Sequence, residues 1–308
     1  MDKIKPKDSR YIKLGRGGKF ESTCIEVDNS IRLDYRIVPH ELCMAGEWEA
    51  VRQWFIEEHD SDTGAATSHR NQIKDFYQLR TDVLWVTFYK NMLWWCYAQP
   101  VVNLLDDGTK ERHTITGWHN TNINGKPLPI SKLNGQLTSM QGFRGTICRV
   151  KLHDYLVRKI NGEVIPKEQA ALEAQQALTN SLIAIIQSLP WKEFELLIDL
   201  IFRQAGWQRL SEVGGGQKTL DLDLWSPITD EKYQVQIKSQ AGRNQFEEFQ
   251  KDTEGATEDG RYLFVVHTPQ GDLTKNLETD LHKLWLVEDI AQLVVQYGLT
   301  DWVIAKAI

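Results

Sequence analysis

The sequence predicts two domains joined by a helix: an α+β unit built mainly from antiparallel strands at residues 1–165, a linker helix at 166–189, and an α/β unit at 190–308 in which a central mixed sheet is flanked by helices. Three observations predict it. The chain has 308 residues, more than one hydrophobic core usually organises. Its texture changes at Ile165-Pro166, where short β-like runs give way to Ala/Gln/Leu-rich sequence of high helix propensity. Beyond residue 190 the apolar periodicities read helix, three strands, helix, strand, helix, which is the order of a sheet covered by helices. With 41% apolar and 25% charged residues and no repeat, the chain is not of the disordered or fibrous classes.

In the first unit, residues 22–27 and 31–35 read as strands about the Asp28-Asn29 turn. Trp48–His59 reads as a helix with Val51, Trp54 and Phe55 on one side. Residues 84–89 and 92–98 flank Lys90-Asn91 and read as a hairpin with a two-residue turn. Loop signals at Asp106-Asp107-Gly108, Asn124-Gly125 and Pro127 precede a strand at 145–150. Residues 167–189 form the linker helix. Pro190 opens a second helix, in which Phe194, Leu197, Ile198, Ile201, Phe202 and Ala205 recur at helical spacing and which Gly206 ends. After Gly214-Gly215-Gly216 come strands at 220–225, 232–238 and 261–267, a helix at 272–283, a strand at 284–287 and a helix at 288–297.

The net charge of −6 is unevenly spread: residues 1–165 carry 23 Lys plus Arg against 20 Asp plus Glu, and the remainder 13 against 22. An acidic surplus disfavours DNA affinity in the second unit, yet it includes carboxylates able to bind a metal. Residues 1–10 lack an apolar stretch and no run of roughly 18 apolar residues occurs, so a cytoplasmic chain that does not span a membrane is expected. Cys24, Cys43, Cys96 and Cys148 lie far apart and read as buried free thiols.

Strand alternation puts Leu222 and Leu224 on one face and Asp221 and Asp223 on the other; in the next strand Tyr233, Val235 and Ile237 oppose Gln236 and Lys238. With the register set by residues 227–232, Asp221 falls opposite Lys238 and Asp223 opposite Gln236. Glu195 lies at the edge of its helix's buried stripe and can turn toward that polar face. Acids, an amide and an amine gathered in one place suit phosphodiester hydrolysis, which needs an activated water and neutralisation of developing negative charge. Hard oxygen donors select Mg²⁺, or Mn²⁺, with Asp221 as main ligand and Glu195 and the backbone carbonyl of Ile237 completing the protein's share. Lys238 would stabilise the transition state.

From Trp191 to Ala241 the segments WKEFE, AGW, GGGQKTLDLDL and YQVQIKSQ resemble the Mrr-like catalytic domain of the PD-(D/E)xK nucleases. The resemblance covers about residues 188–308. It implies a restriction-endonuclease-like fold and a metal-dependent DNA endonuclease with Glu195, Asp221, Gln236 and Lys238 as catalytic residues, Gln-x-Lys standing where Glu-x-Lys is commoner. Asp223 is an auxiliary candidate.

In the aromatic hairpin, Trp85, Tyr89 and Trp94 share one face while Phe88, Trp95 and Tyr97 share the other. Neither face is polar. One is expected to be core and the other to line a pocket, closed by Trp118 or Phe143, in which aromatic walls stack a flipped base while Asp34, Asn103 or Asn122 reads its edge. The plain alternative is that these tryptophans are all core. The opening YIKLGRGG and the aromatic strands before Gly117-Trp118 diffusely resemble the EVE and PUA-like modules that sense modified bases. Lys13, Arg16 and Lys19, interleaved with glycines, are phosphate-contact candidates.

These readings converge on a modification-dependent (type IV-like) restriction enzyme of antiviral defence, in which the first unit selects modified double-stranded DNA and the second cuts it. One site cuts one strand, so a homodimer is expected. Two rivals remain open: a non-catalytic DNA-binding protein with a degenerate nuclease fold, and an RNA-directed nuclease.

Overall fold

The computed structural model describes residues 2–210, 221–254 and 260–307, and the chain divides into two compact units, Met1–Ile165 and Pro166–Ile308. The Gly214-Gly215-Gly216 loop and Leu220 lie outside the described residues. No described helix is long and apolar enough to cross a membrane.

The first unit runs β1 (Asp8–Ile12), β2 (Ser30–Leu33), α1 (His40–Ala45), α2 (Trp48–His59), α3 (Thr63–Gln78), β3 (Val83–Tyr89), β4 (Met92–Tyr97), β5 (Asn103–Leu104), β6 (Lys110–His113), α4 (Gly135–Thr138), β7 (Ile147–Arg149) and α5 (His153–Ile160). Its sheets are ordered β4-β3-β1-β7 and β2-β6-β5. All ladders are antiparallel except β1 with β3, so the larger sheet is mixed. The helix α2 spans the expected residues. In the β3–β4 hairpin Tyr89 faces Met92, and Lys90 and Asn91 take φ of 47° and 59°, the left-handed pair that matches the strands' twist.

Two expectations for this unit fail. Residues 22–27 are not a strand: Thr23–Val27 is a π-helix that buries Cys24 and Ile25, and the Asp28 N–H donates to the Thr23 carbonyl. Packing of two side chains into the core outweighs β-propensity there. The strand after the turn instead pairs with Lys110–His113, a segment too polar to read as a strand. Its Lys110 and Arg112 are buried. Lys110 Nζ donates to the carbonyls of Tyr35, Arg36 and Val38 at 2.5, 3.2 and 3.0 Å. Arg112 donates to the carbonyls of Gln99, Phe76 and Leu79 at 2.7–2.8 Å, closing the end of α3, where helix carbonyls lack partners within the helix. Its guanidinium also lies near the rings of Phe76 and Trp85.

The second unit runs α6 (Pro166–Ser188), α7 (Trp191–Gln204), β8 (Gln208–Arg209), β9 (Leu222–Trp225), β10 (Lys232–Gly242), α8 (Arg243–Thr253), β11 (Gly260–Gln270), β12 (His282–Trp285), α9 (Val287–Gln296) and α10 (Thr300–Ile304). One mixed sheet, β12-β11-β10-β9-β8, carries helices on both faces. Leu222, Leu224, Val235, Ile237, Leu263 and Val265 pack under α7 and α9, and Leu182, Ile186 and Leu189 bring the end of α6 into the same core. On the other face Phe246 and Phe249 of α8 meet Tyr262, Phe264 and Val266.

The expected helix at 272–283 is absent; a 3-10 turn at Lys275–Leu277 and the strand β12 occupy that segment. The helix that covers this face lies earlier, at α8. Parallel strands β10 and β11 cannot be joined by a tight turn, and α8 makes the required crossover. The β9–β10 register also differs from expectation by two residues, with Asp223 opposite Gln234 and Leu222 opposite Val235. Its cause is the turn. The Ser226 N–H donates to the Glu231 carbonyl and Asp230 takes φ 58°, so the loop closes two residues earlier on β10. A shift of two leaves each side chain on its face.

Candidate active site

The helix α7 begins at Trp191 after Pro190 and buries Phe194, Leu197, Ile198, Ile201 and Phe202 against the sheet. Its adjoining stripe, Lys192, Glu195, Leu196 and Asp199, recurs at three- and four-residue intervals and so shares one flank. With Trp191, that flank forms one wall of a cleft of about 310 Å³; Arg209, Asp221, Leu222 and Ile237 form the other.

Asp221 sits just before β9, where regular pairing with β10 ends. Its N–H donates to the Val235 carbonyl at 3.0 Å, and its Oδ2 accepts from the Ile237 N–H at 2.6 Å. The side chain thus takes the place of a ladder carbonyl, which fixes it against β10. Because N–H and C=O of one strand residue point to the same neighbour, the Ile237 carbonyl also faces the β9 edge. Across the cleft, burial and then the charge of Asp221 push the Glu195 carboxyl above its ordinary range, while Arg209, Lys238 and Lys192 pull it down. Two acids therefore face one another with cations around them.

Asp199, which the sequence reading missed, lies one helical turn beyond Glu195 and is 6% exposed. Its Oδ2 accepts from Arg203 Nε at 2.7 Å, but its Oδ1 is buried with no partner among the described residues. An unmet buried acceptor costs about 1–3 kcal/mol, and more when charged.

The expected quartet is brought together only in part. Glu195 and Asp221 share the cleft, and the Lys238 charge reaches Glu195. Gln236 and Lys238 alternate away from buried Val235 and Ile237, toward the face that α8 covers, and neither lines the cleft. Asp223, opposite Gln234, does not line it either. The Glu195 helix lies over the greasy face, so it meets Asp221 at the strand's end rather than over the polar face. The donors fit a hard divalent cation: two carboxylates that repel one another and a carbonyl edge, all oxygen. Among the described residues no three Asp, Glu, His or Cys gather as a metal-binding group, so the protein's share would be these two acids and backbone.

Residues 186–276 match the Mrr_cat family model, described as restriction endonuclease. The Mrr_cat match spans the helix, both strands and both acids of the cleft, and gives the second unit its restriction-endonuclease-like character. No curated protein matches the chain. Among solved structures, restriction endonuclease FokI bound to DNA is 15% identical with a TM-score of 0.28, over 66% of this chain and 38% of FokI. The DNA modification-dependent restriction endonuclease AspBHI is 10% identical with a TM-score of 0.30, over 90% of this chain and 79% of that one. The chain thus spans well under half of the FokI chain.

Outside the Mrr_cat segment, the expected base pocket does not form from the hairpin. Both faces are core: Trp85 and Trp118 are buried, with Trp94 packed against them, in one cluster, and Trp95, with Tyr97, belongs to a second cluster on the opposite face. Trp95 Nε1 donates to the Thr121 carbonyl and Trp118 Nε1 to that of Ser30. Asp34 is held by Lys19 and Arg36, and Asn122 Oδ1 accepts from the N–H groups of Asn124 and Lys126. Asn103 lies exposed on β5. Of the phosphate candidates, Lys13 donates to the Phe143 carbonyl and Lys19 pairs with Asp34, while Arg16 is exposed. Phe143 borders a cleft of about 400 Å³ with Met140, Cys148, Arg149, Lys151 and Leu152.

Proposed function

We propose that the chain is a metal-dependent DNA endonuclease whose second unit hydrolyses phosphodiester bonds at the Glu195–Asp221 cleft. The observation that carries this is the meeting of Glu195 and Asp221 across one cleft, inside the segment that matches Mrr_cat. Glu195, Asp221 and the Ile237 carbonyl would hold Mg²⁺ or Mn²⁺. When bound, such an ion supplies an activated water and neutralises charge on the scissile phosphate. The Ile237 N–H leaves one Asp221 oxygen for that purpose and fixes its direction. Lys192 and Arg209, on the cleft wall, attract the phosphodiester backbone. Lys238 does not line the cleft, but its charge reaches Glu195 and would help to offset developing negative charge there. Gln236, set on the other face, does not line the cleft and is given no place at the ion.

In this reading the first unit chooses modified double-stranded DNA, as the EVE and PUA-like resemblance suggests, and the Phe143 cleft replaces the aromatic hairpin as the place where a base is read. Its apolar walls beside Arg149 and Lys151 suit a stacked ring next to phosphate. A homodimer would cut both strands.

The test is a plasmid nicking assay with Mg²⁺ on DNA carrying cytosine, methylcytosine, hydroxymethylcytosine or glucosylated cytosine, with RNA alongside. Nicking of a modified plasmid that Lys238→Ala lowers by about 10²–10³ supports the reading. Binding without nicking on every substrate assigns the chain to non-catalytic DNA binding instead, and degradation of RNA alone assigns it to RNA.

A further inference from the structure

Asp199 carries an inference beyond the two acids already assigned. Its residue lines the Glu195–Asp221 cleft, Arg203 fixes one carboxylate oxygen, and the other is buried and unpartnered among the described residues. Buried acceptors are nearly always met by a donor, and a ligand seated in the cleft can supply the one that the described residues do not. A phosphodiester offers only acceptor oxygens and negative charge and is therefore the wrong partner. A water bound to a divalent cation is a strong donor. The torsion that orients an Asp carboxylate is broad, so Oδ1 can follow a ligand seated beside it.

We propose that Asp199 is a positioning residue for a hydrated cation, its Oδ1 accepting a hydrogen bond from a water on the ion that Glu195 and Asp221 hold. The contact runs through water because no three acidic, His or Cys side chains gather closely enough among the described residues to ligate one ion directly. Mg²⁺ keeps several of its waters, and the acceptors that orient them tune affinity. Arg203 offsets the third carboxylate, so the cleft gains an acceptor without the full repulsion of another anion toward phosphate.

This inference rests on the metal-dependent reading above, and its test separates the two. Mn²⁺ alone is titrated into the full chain without DNA, with free Mn²⁺ read by electron paramagnetic resonance, for the wild type, Asp199→Asn and Asp199→Ser. Asp199→Asn is expected to weaken Mn²⁺ binding by about 10- to 100-fold. Thermal unfolding without metal is expected to be unchanged or shifted upward, because an unmet buried charge has been removed. In nicking assays the Mg²⁺ concentration for half-maximal rate should rise by the same factor. A residue that serves only to pair with Arg203 would leave Mn²⁺ affinity unmoved. Equal affinity in wild type and both variants overturns the role of Asp199 and leaves the endonuclease reading standing. A wild-type chain that binds no Mn²⁺ overturns the metal-dependent reading, and this inference with it.

Discussion

Buried charge is handled in opposite ways at two places, one in each unit. In the first, Lys110 and Arg112 lie in the core with no acid facing them in their hydrogen bonds; Lys110 is met by three main-chain carbonyls and Arg112 by four. In the second, Asp199 is buried yet keeps one oxygen unmet among the described residues, and Glu195 faces Asp221 across a cleft. A satisfied buried charge stiffens a fold, whereas one left unsatisfied lowers stability and persists where a ligand completes it.

The largest effect that could break this contrast is at Arg112. Replacing it with Met leaves the carbonyls of Gln99, Phe76 and Leu79 without donors, and about 3–5 kcal/mol of stability should be lost, as when one side of a buried charged interaction is deleted. Calorimetry of the full chain would check it. A loss below about 1 kcal/mol, within the range of ordinary surface changes, would mean that the guanidinium is not the staple of the first unit. Next comes Trp85, fully buried beside Arg112. Trp85→Phe should cost about 1–3 kcal/mol through lost packing and leave the choice among modified DNAs untouched, whereas Phe143→Ala should alter that choice at little cost in stability. Swapped outcomes would return the base pocket to the hairpin.

In the second unit the sign reverses. Glu195→Gln removes one of two facing acids, so unfolding without metal should be unchanged or up to about 1 kcal/mol more favourable to the fold, while nicking falls by about 10²–10³. Denaturant unfolding paired with the plasmid assay measures both. A variant that is destabilised yet fully active would make Glu195 a structural acid like any other.

The same division explains what the sequence disclosed. Local signals were enough for α2, for the Lys90-Asn91 turn and for α7, because capping, turn chemistry and 3.6-residue periodicity act within a few residues. They were also enough to nominate Glu195 and Asp221. What they could not show depends on partners far along the chain. The strand Lys110–His113 looks like solvated loop until the carbonyls of Tyr35 and Phe76, dozens of residues earlier, are in place to receive its cations. The helix α8, RNQFEEFQKDT, carries little apolar signal beyond Phe246 and Phe249, and the parallel pairing of β10 with β11 demands it. Alternation correctly split Gln236 and Lys238 from Val235 and Ile237, but it could not show that α7 covers the latter face. Asp199 did leave a trace, four residues after Glu195 on the same flank, which also carries Lys192.

The smallest effect tests the outer limit of the contrast, a charge that is both exposed and satisfied. Thr109, through its hydroxyl at 2.6 Å and its N–H at 3.0 Å, and Arg32 at 2.9 Å hold the Asp107 carboxyl down to about 2. A carboxyl depressed in the folded state adds stability that is fully present above its unfolded value and is lost as pH falls through the folded one. For Asp107 that window runs from about 4 down to about 2. Because roughly a third of the side chain meets solvent, screening should hold its contribution to about 1 kcal/mol or less. Urea unfolding of the wild type and Asp107→Asn across that range should give curves separated by a constant gap above pH 4 that closes toward pH 2. A gap that widens on acidification would place the Asp107 stabilisation in its protonated form and remove it from the satisfied class.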